Sequence, residues 1–251
     1  MGRWSDVDVL RASREWVSPW FPPTATRVSH DGYELYLDGT AATVMAANGA
    51  RPALDDVAAI LDIGRRVGAE TVEFTLEPDD SGAPPADVGV AQATATVDIL
   101  AIDPEARMVD IGASPDLRVE EVHTFDQFAS YERTSAAAWG YRAPTDADLR
   151  AGFDELGPGW FLVSLAGQPI GTGGYSLVGE VARLWGAAVI PSARGRGAYR
   201  VLVAARAADA RARGGTLGLV HALATTSSSI LRRLGFRKVG EQRIFRASIA
   251  P

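Results

Sequence analysis

The sequence predicts an α+β protein built in two halves. Three observations predict it. Segments such as Tyr33 to Leu37 and Gln92 to Ile102 alternate apolar and polar residues, the two-residue period of a half-buried strand. Segments such as Asp55 to Val67 place Val57, Ile60, Leu61 and Gly64 three and four residues apart, the period of a helix. Both patterns recur along the chain on either side of a seam at Asp103-Pro104-Glu105. Domains are therefore expected over 1–103 and 118–251, with 104–117 as a linker.

The first half opens with an amphipathic helix over Asp6 to Trp16. Pro19, Pro22 and Pro23 follow, and consecutive prolines cannot continue a helix. Tyr33 to Leu37 is a strand, and Thr40 to Ala46 is its hairpin partner across Asp38-Gly39. The helix of Asp55 to Val67 stops at Gly68. Thr71 to Leu76, rich in β-branched residues, is a strand. Glu77 to Asp87 is a Pro/Asp/Gly loop. The strand Gln92 to Ile102 closes the half, with Thr94, Thr96 and Asp98 opposite Ala95, Val97 and Ile99.

The second half begins with a strand, Leu117 to His123, and a helix, Asp126 to Trp139, capped at Thr124 or its neighbour. A second helix starts after the cap Thr145, with Asp146 and Asp148 in its first turn, and ends at Gly157-Pro158-Gly159. Trp160 to Leu165 and Ile170 to Leu177 form a hairpin. A turn at Val178-Gly179-Glu180 leads to the strand Arg183 to Ile190.

The run Val189-Ile190-Pro191-Ser192-Ala193-Arg194-Gly195-Arg196-Gly197-Ala198-Tyr199 carries the chemistry. A strand ends at a proline, two glycines follow one residue apart, and a long Ala/Arg helix begins. Backbone N–H groups of such a loop converge at the positive end of a helix dipole, a seat for phosphate or pyrophosphate. Gly195 and Gly197 let a ligand approach the backbone. The third glycine of a dinucleotide fingerprint would fall at residue 200, which is Arg200. The lysine of a nucleoside-triphosphate loop is missing, since the only lysine is Lys238.

What remains resembles the GNAT superfamily of acyl-CoA-dependent N-acetyltransferases, whose loop reads Arg/Gln-x-x-Gly-x-Gly/Ala. Ser192 to Gly197 match both glycines and depart at Ser192, and Tyr199 stands where many members carry a small residue. Downstream, Gly214-Gly215, a strand over Thr216 to Ala222, a Thr/Ser-rich turn, a short helix and Leu234-Gly235-Phe236 follow the family's order. Phe236 to Ile249 would supply the last strands. The resemblance covers 118–251 and implies a mixed, mostly antiparallel sheet flanked by helices. The first half echoes the order without an R-x-G-x-G loop. It resembles the degenerate half of tandem acetyltransferases; a plain α+β module is the alternative.

The resemblance implies transfer of an acetyl group from acetyl-CoA, as co-substrate and without a metal, to a primary amine of a small molecule by direct attack. The pantetheine arm would bond to the backbone of Ala188, Val189 and Ile190. The pyrophosphate would sit on the N–H groups of Arg194, Gly195, Arg196, Gly197, Ala198 and Tyr199. Ser228 would donate to CoA, or else cap its helix. The tyrosine that many members use as general acid would fall at Leu231. For the general base, Glu180 and His221 are candidates; the alternatives are a solvated turn glutamate and a half-buried histidine. Trp139, Tyr141 and Trp160 line the amine pocket or belong to the core. A catalytically silent acyl-CoA-binding module is the rival reading, because the tyrosine is absent.

Composition narrows the classes. Of 251 residues, 47% are hydrophobic, ample for a packed core, yet no apolar run is long enough to cross a bilayer. The start, Met1 to Asp6, has no apolar signal region, so a cytoplasmic protein is expected. Without cysteine there are no disulfides or thiolate ligands. His30, His123 and His221 lack metal-ligand spacing. A net charge of −6 argues against nucleic acid as a partner. Arginines nevertheless cluster over Arg194 to Arg213, where positive charge would attract an anionic cofactor. The amine and the oligomeric state stay open.

Overall fold

The computed structural model describes residues 4–17, 25–79, 82–83, 88–89, 91–103 and 114–249. Pro19, Pro22 and Pro23 and most of the expected linker lie outside the described residues. In chain order the elements are α1 (Asp6–Arg14), β1 (Thr26–His30), β2 (Tyr33–Asp38), β3 (Ala41–Ala47), α2 (Val57–Arg66), β4 (Thr71–Leu76) and β5 (Gln92–Ile102). There follow β6 (Leu117–Glu121), α3 (Phe125–Trp139), α4 (Asp146–Asp154), β7 (Trp160–Leu165), β8 (Gln168–Val178) and β9 (Val181–Val189). The chain continues through α5 (Ala198–Ala212), β10 (Leu217–Leu223), α6 (Ser227–Arg233) and β11 (Arg237–Ser248).

Contacts divide the chain into two units: 1–101 with 221–232 and 237–251, and 102–220 with 233–236. Residues 221–232 and 237–251, expected in the second domain, group with the first unit.

In the first unit the strand order is β1-β2-β3-β4-β11-β5. All described pairs are antiparallel except β3 with β4, which α2 connects. α1 starts where the Ser5 hydroxyl accepts from the Asp8 N–H and the Asp8 carboxylate accepts from the Ser5 N–H, a reciprocal cap. The core joins Leu35, Ile60, Val72, Phe74, Leu76 and Phe245. β1 was not expected; its Thr-Arg-Val-Ser-His face is largely exposed, so it carries no apolar period. Residues 236–249 were expected to give more than one strand to the second domain. They form one strand, paired with β4 and β5, whose register on β5 shifts between Lys238 and Gly240 and again between Ile244 and Phe245. Phe245 fixes that placement, lying opposite Phe74 with ring centroids 5.8 Å apart.

In the second unit the order is β10-β9-β8-β7-β6, mixed and mostly antiparallel, with β9 and β10 parallel and joined by α5. Thr124 with Gln127 and Thr145 with Asp148 cap α3 and α4 reciprocally, and Gly140 ends α3 in the left-handed region. The turn between β7 and β8 uses Ala166 and Gly167, both with positive φ (49° and 78°), the geometry that two-residue hairpins favour. Phe128, Tyr131, Leu149 and Leu162 pack α3 and α4 onto the sheet. Among the described residues no helix is long and apolar enough to cross a membrane, and no group of side chains is arranged to hold a metal.

Candidate active site

The site lies on β9 past its described pairing with β10. β9 pairs with β8 from Val181 to Val189. Its described pairing with β10 runs from Val181↔Leu217 to Leu184↔Val220 and ends there. Beyond that point Gly186 is exposed and Ala187 and Ala188 are half-buried, although β9 lies inside its sheet. Gly186 has φ +62° and sits in a register irregularity between Gly174↔Trp185 and Thr172↔Ala188, so the strand bulges as it opens. A buried cation braces the bulge. Arg206 of α5, 2% exposed, donates from Nη1 to the carbonyls of Gly174 (3.0 Å) and Trp185 (3.1 Å) and from Nε to Leu202 (3.1 Å).

The strand runs into the glycine loop. The N–H groups of Ala193 and Arg194 close a short 3-10 turn onto Ile190 and Pro191 (3.0 and 3.3 Å). Gly195 and Gly197 then take φ values of +79° and +87°, which L side chains rarely adopt. α5 starts at Ala198, and Arg200 and Val201 donate back to the Gly197 carbonyl. No described backbone acceptor takes the N–H groups of Gly195, Arg196, Gly197 or Ala198. A Cβ added at Gly195 would meet nothing within 4 Å. Four amides thus stand together at a helix N-terminus with open space beside them. Arg194 differs from expectation: its N–H is used internally, and its Nε donates to the Val189 carbonyl at 3.2 Å. The half-buried Tyr199 lies close enough to Arg206 to favour its charge.

The remaining expected residues lie elsewhere. Glu180 sits in the turn before β9, and its carbonyl accepts from Thr216 and Leu217. Ser228 is buried and donates to Asp98 Oδ2 at 2.5 Å, so its hydroxyl is spent on a carboxylate. Leu231, where the family's tyrosine would stand, is a core residue. His221 belongs to a buried cluster of the first unit. Its Nδ1 lies 3.2 Å from Arg51 Nη2 and its Nε2 lies 2.8 Å from Ser13 Oγ, while Trp16 stacks on the ring at 4.4 Å. A guanidinium only donates, so Nδ1 accepts and Nε2 carries the proton. Ser13 then passes its own proton to Glu77 Oε2 (3.1 Å), and Gln242 donates to Glu77 Oε1. The Nδ1 lone pair is therefore occupied by the Arg51 guanidinium. Burial pushes the Glu77 carboxyl up despite Arg51 at 3.4 Å, and burial pushes Arg51 down.

Of the aromatic candidates, Trp139 is 58% exposed, whereas Trp160 packs between Tyr131 and Trp185, each at 4.9 Å. Sequence reasoning missed Gly186, Arg206, Tyr131, Glu132 and Thr172. A signal for Arg206 existed: it falls on the apolar stripe of α5 with Leu202, Val203, Ala207 and Ala210, where a solvated arginine has no place.

A mixed α+β sheet, with one parallel pair opening onto a glycine loop that starts a helix, defines a class of anion-cradling folds. Residues 123–236 match the model of the acetyltransferase (GNAT) family. Solved structures of similar fold include a GCN5-related N-acetyltransferase from Kribbella flavida, 16% identical, covering 96% of this chain and 92% of that one, TM-score 0.53. Another, from Sphaerobacter thermophilus, is 14% identical over 90% and 76%, TM-score 0.62. A tandem GNAT protein from the clavulanic acid biosynthesis pathway is 17% identical over 92% and 86%, TM-score 0.58. No curated protein matches the sequence.

Proposed function

We propose that the chain is an acetyl-CoA-dependent N-acetyltransferase of the cytoplasm that acylates a primary amine of a small molecule by direct attack, without a metal or nucleic-acid partner. One observation carries the reading: the amides of Gly195, Arg196, Gly197 and Ala198 have no described backbone acceptor and stand beside open space at the start of α5. A pyrophosphate fits this set, since convergent N–H groups and the helix dipole both favour negative charge. The exposed Arg194 and Arg196 add to the field. Pantetheine, an amide-bearing arm, would pair with β9 backbone around Ala188, beyond the last described pair with β10; Ile190, also expected there, gives its N–H to the Ile170 carbonyl and its carbonyl to the Ala193 N–H.

Residues 1–103 are read as a GNAT-like domain without a cofactor loop. Its β3-α2-β4 crossover is also parallel, as is β9-α5-β10. The corresponding turn is closed by its own anion: Asp56 Oδ2 accepts from the Ala53 N–H (2.8 Å) and Oδ1 from the Tyr33 hydroxyl (2.7 Å). A carboxylate so placed repels a phosphate.

Calorimetric titration with acetyl-CoA tests the proposal, with ATP as competitor. Saturable binding of acetyl-CoA that ATP does not displace is expected. Absence of binding at high micromolar cofactor overturns the reading. The burial of Leu231 favours a second reading, a module that binds acyl-CoA without turnover. Thiol release with any primary amine decides against it.

A further inference from the structure

α3 presents Tyr131, Glu132 and Ser135 within one turn. The Ser135 and Thr172 hydroxyls, both buried, lie 2.8 Å apart. Tyr131 lies beside Thr172, and Tyr141, just past the helix, beside Ser135. The Tyr131 hydroxyl lies under exposed Gly186, where an added Cβ would approach it to 3.8 Å. Trp160 and Trp185 extend the same wall, edge to face. A patch of four neighbouring hydroxyls and aromatic rings therefore faces the bulge at which β9 opens.

Glu132 stands beside this patch, close enough to disfavour ionisation of both Tyr131 and Tyr141. Its surroundings are unusual. It is half-buried, and burial alone pushes its carboxyl up. No hydrogen bond or ion pair reaches it from the described residues, whereas neighbouring Arg133 is directed to Asp146 at 3.6 Å. The nearest buried cation, Arg206, is spent on carbonyls and acts on Tyr131 rather than on Glu132. Withdrawing a carboxylate from water without a partner is costly, and buried charges are ordinarily paired. A solvated glutamate would avoid the cost by turning outward.

We propose that Glu132, with Tyr131 and Tyr141, forms the acceptor site for the ammonium form of an arylalkyl or alkyl primary amine, and that its carboxylate takes the ammonium proton. The chemistry of the patch selects that class. A carboxylate supplies the counter-charge, and ring faces attract a cation directly. Proton transfer between an apposed ammonium and carboxylate removes two charges from a poorly solvated place, so burial favours the free amine. The catalytic part rests on the transferase reading above. One proton passes from R–NH3+ to Glu132. The nitrogen lone pair then forms a bond to the thioester carbonyl carbon as the C–S bond breaks. The second departing N–H proton goes to the thiolate, giving amide and thiol.

The test uses the full chain, with tryptophan fluorescence to follow 2-phenylethylamine against its neutral counterpart 2-phenylethanol, and calorimetry to follow acetyl-CoA. Saturable binding that prefers the amine at least tenfold is expected. Glu132→Gln should erase the preference, Glu132→Asp should keep most of it, and both should bind acetyl-CoA as the native chain does. Because the carboxylate has no structural partner, Glu132→Gln should melt at the same temperature or higher. A preference that survives in Glu132→Gln overturns the proposal, as does a native chain that binds acetyl-CoA without preferring the amine. A Glu132→Gln chain that melts several degrees lower or fails to fold also overturns it, because the carboxylate would then hold structure. A native chain that prefers the amine but ignores acetyl-CoA supports the ammonium site while the transferase reading fails.

Discussion

Gly195 and Arg206 show how differently two residues announce their roles. Gly195 is legible in the sequence because its work is local: a positive φ at the mouth of a helix, with nothing where a side chain would be. Gly195→Asp should place a carboxylate in the phosphate seat, and Asp tolerates the left-handed region better than most residues. Its loss of acetyl-CoA affinity should be tenfold or more, while Gly195→Asn, equal in shape and strain, should lose much less. Calorimetry on both variants checks this; equal losses would mean that space rather than charge governs the seat. The apolar stripe of α5 marks Arg206 as buried, but its role is not legible there, because its partners are carbonyls of β8 and β9, far along the chain. Arg206→Met leaves those carbonyls buried and unbonded. With hydrogen bonds to charged groups worth roughly 1.5–3 kcal/mol each, about 3 kcal/mol of stability should be lost in urea melts. Acetyl-CoA affinity should fall with it, because the bulge at Gly186 loses its brace. The partners of Ser228 and His221 are hidden for the same reason: Asp98, Ser13 and Arg51 are remote in sequence.

Elements with a strong period were read to within a residue or two. β4, β5 and β7 have the expected limits, because β-branched alternation or flanking turn residues mark both ends. The reciprocal caps at Thr124 and Thr145 start their helices as expected. β1 escaped because an exposed edge strand needs no apolar face. β11 was recognised as extended chain but given the wrong neighbours. Alternation tells which face of a strand is buried, not which strand lies beside it. Its placement between β4 and β5 makes a strong claim about Phe245, a fully buried ring stacked on Phe74. Phe245→Ala should cost about 3–5 kcal/mol, within the range for aromatic truncation in a core. Hydrogen exchange should show the loss in β4 and β11 amides. Exchange in those strands that matches the native chain would contradict the pairing.

For the whole molecule, the recurring strand and helix periods set the class, and long-range pairing decided which strands are neighbours. Acid stability is where each unit makes two opposing claims, one from a capping aspartate and one from a buried glutamate. Asp8 and Asp148, exposed carboxylates in helix caps, are held below the ordinary 3.8 by hydrogen bonds from the Ser5 side chain and the Thr145 backbone respectively. Their contribution is present above that value and disappears as pH falls through the lowered one. Glu77 in the first unit and Glu132 in the second move the other way, burial raising both above the ordinary 4.5. A carboxyl whose folded pKa is raised binds its proton more readily in the folded chain. Stability from it is therefore greatest below 4.5 and declines as pH rises through the raised value. Glu132→Gln removes one such decline, so between pH 4.5 and neutrality its melting temperature should fall less steeply than that of the native chain. Glu77→Gln should behave differently despite the same direction of shift, because Arg51 remains buried beside it with Glu77 gone. Breaking one side of a buried pair costs roughly 3–5 kcal/mol, so this variant should be much less stable at neutral pH. Melting curves of the three proteins across that range separate the cases: a partnered carboxylate is missed when removed, and an unpartnered one is not. Equal melting of Glu77→Gln and the native chain at neutral pH would show that Arg51 does not depend on this pair.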